Sequence, residues 1–437
     1  MSNTGLNHWK PGGNTFFAGD CMPFCKDGVF HLYYLLDCGH HNHPIIGGLG
    51  GHQYAHAVST DLIHWEHKPI ALGVDLSVGK CSNCTGSMLE VDGKIFVFFS
   101  ERSMFYSGEQ LRIGVSYDGG DHFENWDHIP ELTPPADCYG QFRDPQVFRT
   151  DDGLIHLLMS SGCKTDGFCH GKVAHYTTKD MIHYEEHEPW LTTDGIPECA
   201  DYFEWNGKYY YSCNISWETF FHISDSPLGP WTKTVPYAPA SRFCAVMKTA
   251  PWKDGRRIGV GWVPSLVNGR HIFGGRIVFR ELVQKPDGSL GTMFLNEVLP
   301  CDFVKKTDGF EVSKSAGFSV KNLGEVPRNF RMDGVLKFKS GTRKFGFVVM
   351  EEKQDYRAFI TFNPEKNSVS MLGTSIVEVP FENNEVRFRF VRTANVLDLE
   401  INGNRTIVTE YYDMQESVVS FFVDSGAIEV SEINFYN

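Results

Sequence analysis

The apolar positions of the chain fall in short runs rich in aromatic and β-branched residues, each introduced by a turn dipeptide of Asp or Asn plus Gly. Five copies stand out: Asp27-Gly28 leads into Val29–Tyr34, Asp92-Gly93 into Lys94–Phe99, Asp152-Gly153 into Leu154–Met159, Asn206-Gly207 into Lys208–Cys213, and Asp254-Gly255 into Arg256–Gly261. Such a pair supplies the backbone angles of a tight hairpin, so each copy predicts a turn entering a buried strand. The hairpin glycines lie 65, 60, 54 and 48 residues apart, enough for about four strands with loops, which is the size of a propeller blade. A third strand, a Ser/Thr-Asp turn and an aromatic follow in four of the five units, as in His56–Trp65, Ile113–Asp118 reaching Trp126, Val173–Tyr184 and Phe221–Trp231. Helical spacing is almost absent over the first 300 residues. An ordinary sandwich with repeated hairpins is the competing architecture.

After Pro300 the pattern changes to strands that alternate in period two, for example Gly334–Lys339, Lys344–Met350 and Val396–Asn404, as half-buried antiparallel strands should. The expectation is an all-β protein: a five-bladed β-propeller over residues 1–300, followed by a C-terminal β-sandwich over 301–437.

Composition narrows the function. No apolar run among the 437 residues approaches a membrane-spanning length, and 40 basic against 54 acidic residues give a net charge of −14 with no basic stripe. Nucleic acid and anionic membrane are therefore poor partners, and a small neutral ligand suits the surface better. Met1 to Gly13 lacks the basic and apolar regions of a signal peptide, so the chain is expected in the cytosol. The twelve cysteines, diluted in so long a chain, read as reduced, buried thiols. Cys81 and Cys84 have CxxC spacing, but no second such pair completes a zinc site, and Cys163 with Cys169 does not supply one.

In a propeller the innermost strand of each blade lines the central channel, and here it is the strand preceding each hairpin. Counting back eight or nine residues from the hairpin glycine reaches Asp20, Asp144 and Glu198 in units one, three and four, which predicts three carboxylates at equivalent positions. The same stretch offers Thr85, Gly86 and Ser87 in unit two and Phe243 to Met247 in unit five, without an acid. Convergent carboxylates are costly in a sheltered site, because like charges and burial both disfavour ionisation. Glycoside hydrolysis uses them: one attacks the anomeric carbon, one of raised pKa protonates the leaving oxygen, and a third can hold sugar hydroxyls. Arg143, next to Asp144, is placed to tune an acid and bind hydroxyls. His40, His41, His43 and His52 cluster around a glycine-rich loop, Gly39 to Gly51, that reads as a pocket rim or, alternatively, as a metal-binding group. Trp65, Trp126 and Trp231 recur in repeat phase and read as core between blades rather than sugar platforms.

At these residues the chain resembles the family 32 glycoside hydrolases, the invertase, levanase and inulinase group, and the related five-bladed families 43, 62 and 68. Arg143-Asp144-Pro145 is similar to the family's Arg-Asp-Pro motif, Glu198-Cys199 to its Glu-Cys motif, His56–Trp65 to its Gly-His-Ala-Val-Ser-Thr-Asp-Leu-Val-His-Trp signature, and Arg280-Glu281-Leu282 to its Arg-Glu-Leu. The resemblance implies Asp20 as nucleophile, Glu198 as general acid/base and Asp144 as the acid that grips the sugar. It also implies a retaining hydrolase acting on a terminal β-fructofuranoside or similar furanoside. Candidate substrate-binding residues are Arg143, Gln53, His41, Thr85 and Cys199, and no metal or organic cofactor is expected. The first motif departs from the family's Asn-Asp-Pro-Asn-Gly: it reads Gly19-Asp20-Cys21-Met22-Pro23-Phe24, and Leu35 stands where the family has glutamine. The acid survives while the surroundings of the scissile bond change, which points away from sucrose itself. A family 43-type arabinofuranosidase or xylosidase, a non-catalytic sugar-binding propeller and a fructosyl transferase remain as alternatives, and the sequence is silent on oligomeric state.

Overall fold

A computed structural model describes residues 5–48, 50–106, 108–165 and 168–437. Met1 to Thr4 of the N-terminal segment, Leu49 of the Gly39–Gly51 loop and the side chain of Cys169 lie outside the described residues. Contacts divide the chain into two compact units, one comprising Met1–Tyr237, Ala245–Trp262 and Phe273–Val278, the other Ala238–Cys244, Val263–Ile272 and Phe279–Asn437.

The first unit is a five-bladed propeller. Blade one holds β1 (Phe16–Lys26), β2 (Val29–Cys38), β3 (Gln53–Ser59) and β4 (Glu66–Leu72). Blade two holds β5 (Lys80–Val91), β6 (Lys94–Ser103), β7 (Glu109–Ser116) and β8 (Glu124–Asn125). Blade three holds β9 (Cys138–Arg149), β10 (Ile155–Thr165), β11 (Phe168–Thr178) and β12 (Glu185–Thr193), and blade four β13 (Glu198–Trp205), β14 (Lys208–Ile215), β15 (Glu218–Ser224) and β16 (Thr232–Lys233). Blade five is built on β17 (Ala245–Pro251), β18 (Arg257–Val267) and β19 (Arg270–Gln284), and a single bridge, Ala18 to Gly275, joins it to blade one. The five predicted hairpins link the first two strands of each blade. Their innermost strands touch in a ring, β1 to β5 to β9 to β13 to β17 and back to β1.

Facing blades bury each strand on both sides, which is why runs such as Ile95–Phe99 are continuously apolar instead of alternating. Met22, Tyr33 and Tyr54 of blade one pack with Ile95, Val97 and Phe99 of blade two, and Phe96, Phe98, Ile113 and Val115 pack in turn with Val147, Leu157, Met159 and Tyr176 of blade three. The repeat-phase tryptophans belong to these layers: Trp65 meets Phe30 edge-on at 6.0 Å, Trp126 meets Phe96 at 5.9 Å, and Trp231 lies 5.2 Å from Trp190.

Each of the five innermost strands carries an irregularity at one level. Two residues oppose one on the neighbouring strand at Gly19-Asp20, Cys84-Thr85, Asp144-Pro145, Cys199-Ala200 and Val246-Met247. A bulge of this kind re-aims side chains and ends regular pairing. Asp144, Cys199 and Val246, the first bulge residues of their strands, take φ of 55°, 49° and 53°, a conformation costly for non-glycine residues.

In the second unit, twelve strands form one sheet. Phe347 on strand Lys344–Glu351 and Phe388 on Glu385–Thr393 are three strand spacings apart along it, roughly 14 Å if it were flat, yet their rings are 5.3 Å apart. The sheet therefore folds over and encloses one core that includes Phe330, Phe345, Phe421 and Ile428. Arg280, from the Arg-Glu-Leu motif, is buried here: its guanidinium donates to Asp398 Oδ1 (2.6 Å), Thr406 Oγ1 (2.9 Å) and the Phe279 carbonyl (2.9 Å). Removing one partner of so deeply buried a pair leaves the other charge uncompensated. Asp398→Ala is expected to cost about 3–5 kcal/mol of stability in a denaturant titration, and a loss below about 1 kcal/mol, the scale of a surface pair, would refute that role.

Candidate functional site

The bulges open into a pocket of about 260 Å3 whose walls carry Asp20, Asp144 and Glu198 together with Arg143, Thr85, Cys199 and His41. Strand register corrects one expectation. The three acids are not at equivalent positions: Asp20 is the second bulge residue of β1, Asp144 the first of β9, and Glu198 precedes the bulge of β13, in register with Arg143. The count misleads because the first bulge residue lies nine residues before the hairpin glycine in blades one, two, three and five but eight before it in blade four, so Asp144 at nine falls on it, Asp20 at eight one past it and Glu198 at nine one short of it.

Asp20 is held from several sides. The indole Nε1 of Trp262 donates to Oδ1 (2.9 Å), and the Thr85 hydroxyl donates to Oδ2 (2.6 Å). Gly19 permits this packing, since a Cβ there would come within 2.8 Å of the Phe273 ring. The Cys199 thiol lies 3.6 Å from Asp20 Oδ2 and 3.5 Å from Asp144 Oδ2, so carboxylates from two blades converge on one sulfur. Asp144 Oδ2 also accepts the Cys199 backbone N–H at 3.1 Å. Burial raises the Asp144 pKa above the usual carboxylate range, Asp20 adds to the effect, and Arg143 opposes it.

Glu198 is the more accessible acid, with 30% of its side chain exposed. Its carboxylate pairs with the Arg143 guanidinium, which also donates to Glu109 Oε1 (3.2 Å) and lies 3.7 Å from Asp144 Oδ2. Burial pushes the Glu198 pKa up, the Asp144 charge pushes it the same way, and Arg143 pulls against both. A carboxyl group with a raised pKa that is open to the pocket is suited to delivering a proton.

Gln53 is not brought to this site. It opens β3 opposite Leu36, and its side-chain oxygen lies against Gly73, outside the pocket lining. The histidine loop divides. His40 bonds to the Phe273 carbonyl (2.6 Å) and His43 accepts the Ile45 N–H (3.2 Å), while His41 and His52, on the pocket wall, turn toward the buried Asp37 behind it. Cys81 and Cys84 are buried, and Cys81 Sγ donates to the Arg102 carbonyl at 3.1 Å.

Trp217 in the pocket wall and Lys248 beyond it escape sequence reasoning. Lys248 follows the bulge of β17, in register with Cys21, Gly86, Gln146 and Asp201, and its buried ammonium donates to the Gly86 carbonyl (2.8 Å) and Gln146 Oε1 (3.1 Å). It lies outside the pocket lining, one residue beyond the stretch that shows no acid in unit five, and burial lowers its pKa while Asp201, Asp144 and Asp20 pull it back up. Trp217 reaches the pocket from a two-residue turn in which Ser216 and Trp217 have φ of 53° and 73°. Such a turn favours Asn-Gly, so Ser-Trp gives no sequence signal.

Among known proteins, residues 20–242 match the family model described as "Glycosyl hydrolases family 32 N-terminal domain". A sucrose-6-phosphate hydrolase of Escherichia coli is 27% identical over 267 residues, covering 54% of this chain and 52% of that protein. The chain spans about half the length of this relative and less of others. The crystal structure of fructan 1-exohydrolase IIa from Cichorium intybus superimposes with a TM-score of 0.76 at 16% identity, covering 100% of this chain and 98% of that one. A variant of that enzyme in complex with 1-kestose gives 0.78 at 16% identity, covering 100% and 97%. At these identities the structural likeness shows the fold alone.

Proposed function

The chain belongs to glycosyl hydrolases family 32, and on that premise we propose that it is a retaining glycoside hydrolase releasing a terminal β-fructofuranosyl or similar furanosyl unit from a small oligosaccharide or glycoconjugate. One observation carries this reading: three acids from three blades open on a single pocket, two of them meeting at the Cys199 thiol and the third paired with Arg143. In the first step Asp20 attacks the anomeric carbon while Glu198 gives its proton to the departing oxygen, so the glycosidic bond breaks as the ester to Asp20 forms. In the second step Glu198 takes a proton from water, whose oxygen replaces Asp20 at the same carbon. Asp144 and Arg143 hold the ring hydroxyls. The pocket volume is below the ~300–1,000 Å3 common for drug-sized ligands, which suits one sugar ring. Leu35, Trp217, Val246 and Phe273 form its apolar wall, consistent with a substrate other than sucrose. The family match favours this reading over a family 43-type enzyme or a non-catalytic sugar binder. We also read residues 301–437 as a β-sandwich domain, which the folded-over sheet supports.

The test is a panel of fructosides, arabinosides and xylosides incubated with purified protein, with the anomer of the first product read by NMR before mutarotation. Fructose released with retained configuration is expected. Inverted product, or no release from any furanoside, would overturn the proposal.

A further inference from the structure

The pocket wall carries a second chemical group that the hydrolytic cycle does not use. Asp37, near the end of β2, is fully buried. Its Oδ1 accepts the His52 Nε2–H at 2.8 Å and the His41 backbone N–H at 3.1 Å, and His41 Nδ1 lies 3.4 Å from the same oxygen. One ligating atom from each of the three side chains lies within 4.8 Å of the other two. Asp37 Oδ2 and His41 Nδ1 are buried without a hydrogen-bond partner. A buried carboxylate oxygen with no donor is an uncompensated cost, and among the described residues the only ion-pair partners of Asp37 are these two histidines.

The cluster is also held rigidly. The Phe273 ring stacks on His41 at 4.0 Å and lies 5.7 Å from His52. Gly39, His40 and His41 all adopt left-handed backbone, with φ of 62°, 54° and 63°, which returns the His41 ring over the end of β2. A Cβ on Gly274 would approach Asp37 Oδ2 to 2.9 Å.

We propose that Asp37, His41 and His52 bind one divalent transition-metal ion of the zinc class on the wall of the pocket. Two imidazole nitrogens and one carboxylate oxygen form a donor set typical of zinc, and bonds of about 2.0–2.1 Å in a tetrahedral site separate ligand atoms by roughly 3.3 Å, close to the 2.8 and 3.4 Å observed. Calcium and magnesium, which require six or more mostly oxygen ligands, do not suit it. The ion displaces the proton between His52 Nε2 and Asp37 Oδ1, and that proton passes to solvent. Because His41 and His52 line the pocket, the coordination positions left over are open to water or to a hydroxyl of a guest.

The chelator-treated full-length protein is titrated with zinc chloride by calorimetry in two buffers of different ionisation enthalpy, and separately with cobalt chloride followed by visible absorption. The expected result is one equivalent of zinc per chain with proton release, and a cobalt spectrum without a thiolate charge-transfer band. Binding should weaken at least tenfold in His41→Ala, whose fold is checked by circular dichroism. His52→Gln serves as the second variant should the first misfold. Absence of a stoichiometric site, a thiolate band marking cysteine ligation, or unchanged binding in the folded variant would overturn the proposal. No arm of the test involves turnover, so its failure is distinct from failure of the fructosidase reading.

Discussion

Glu198→Gln is expected to reduce kcat on a fructoside with an unactivated leaving group by about 10²–10⁴-fold, the usual scale of general acid–base catalysis, without unfolding the protein. The amide keeps the shape of the carboxyl and can still accept from Arg143, whose bond to Glu109 remains. What it loses is the proton. Glu198 must be protonated to assist departure, so with its pKa raised by burial and by Asp144 the wild-type rate should fall on the alkaline side as pH climbs through that raised value. The limb should vanish in the variant, and Arg143→Gln should move it upward, because Arg143 is the group that pulls the Glu198 pKa down. A leaving group that departs without protonation should restore the first step and leave the second, which needs Glu198 as base, rate-limiting. A pH–rate profile with both substrate types checks this, and an unchanged alkaline limb in Glu198→Gln would remove Glu198 from the acid role.

Much of this architecture is legible in the chain because its causes are local. Asp27-Gly28 and its four counterparts fix hairpins by turn chemistry, and continuous apolar runs such as Ile95–Phe99 report burial between blades. The strands that line the channel follow from these alone, and Asp20, Asp144 and Glu198 with them. Their mutual phase does not follow. Blade four reaches its turn one residue sooner after the bulge than blade one does, and a count that admits both eight and nine hides that step, so three acids that look equivalent occupy three successive levels. Gln53 shows the opposite failure: a polar residue at the start of an inner-blade strand, it faces Gly73 because β3 pairs outward from β2. Arg280 was readable as a motif, but that it ties strands of the second unit through Asp398 depends on a partner 118 residues away. Trp217 and Lys248 were invisible for a similar reason, since their places depend on turn strain and on the bulge register.

Asp20→Asn is expected to lower kcat further, by on the order of 10⁵-fold, because it removes the nucleophile and no neighbouring group replaces it. Stability should change little. Trp262 can donate only, so the amide oxygen stays on that side, and the amide nitrogen turns to Thr85, whose hydroxyl can rotate to accept. Asp20→Ala lacks this exchange and strands the buried indole N–H, at about 1–3 kcal/mol, which makes the asparagine variant the cleaner probe. The covalent step gives a direct readout. In Glu198→Gln supplied with an activated fructoside, the first displacement proceeds and the second stalls, so a fructosyl ester should accumulate and be found by mass spectrometry on the peptide containing Asp20. In the double variant with Asp20→Asn that mass should be absent. Turnover by Asp20→Asn within tenfold of wild type, or an adduct on another residue, would exclude Asp20 as the attacking group and leave Trp262 and Thr85 orienting a carboxylate for some other purpose.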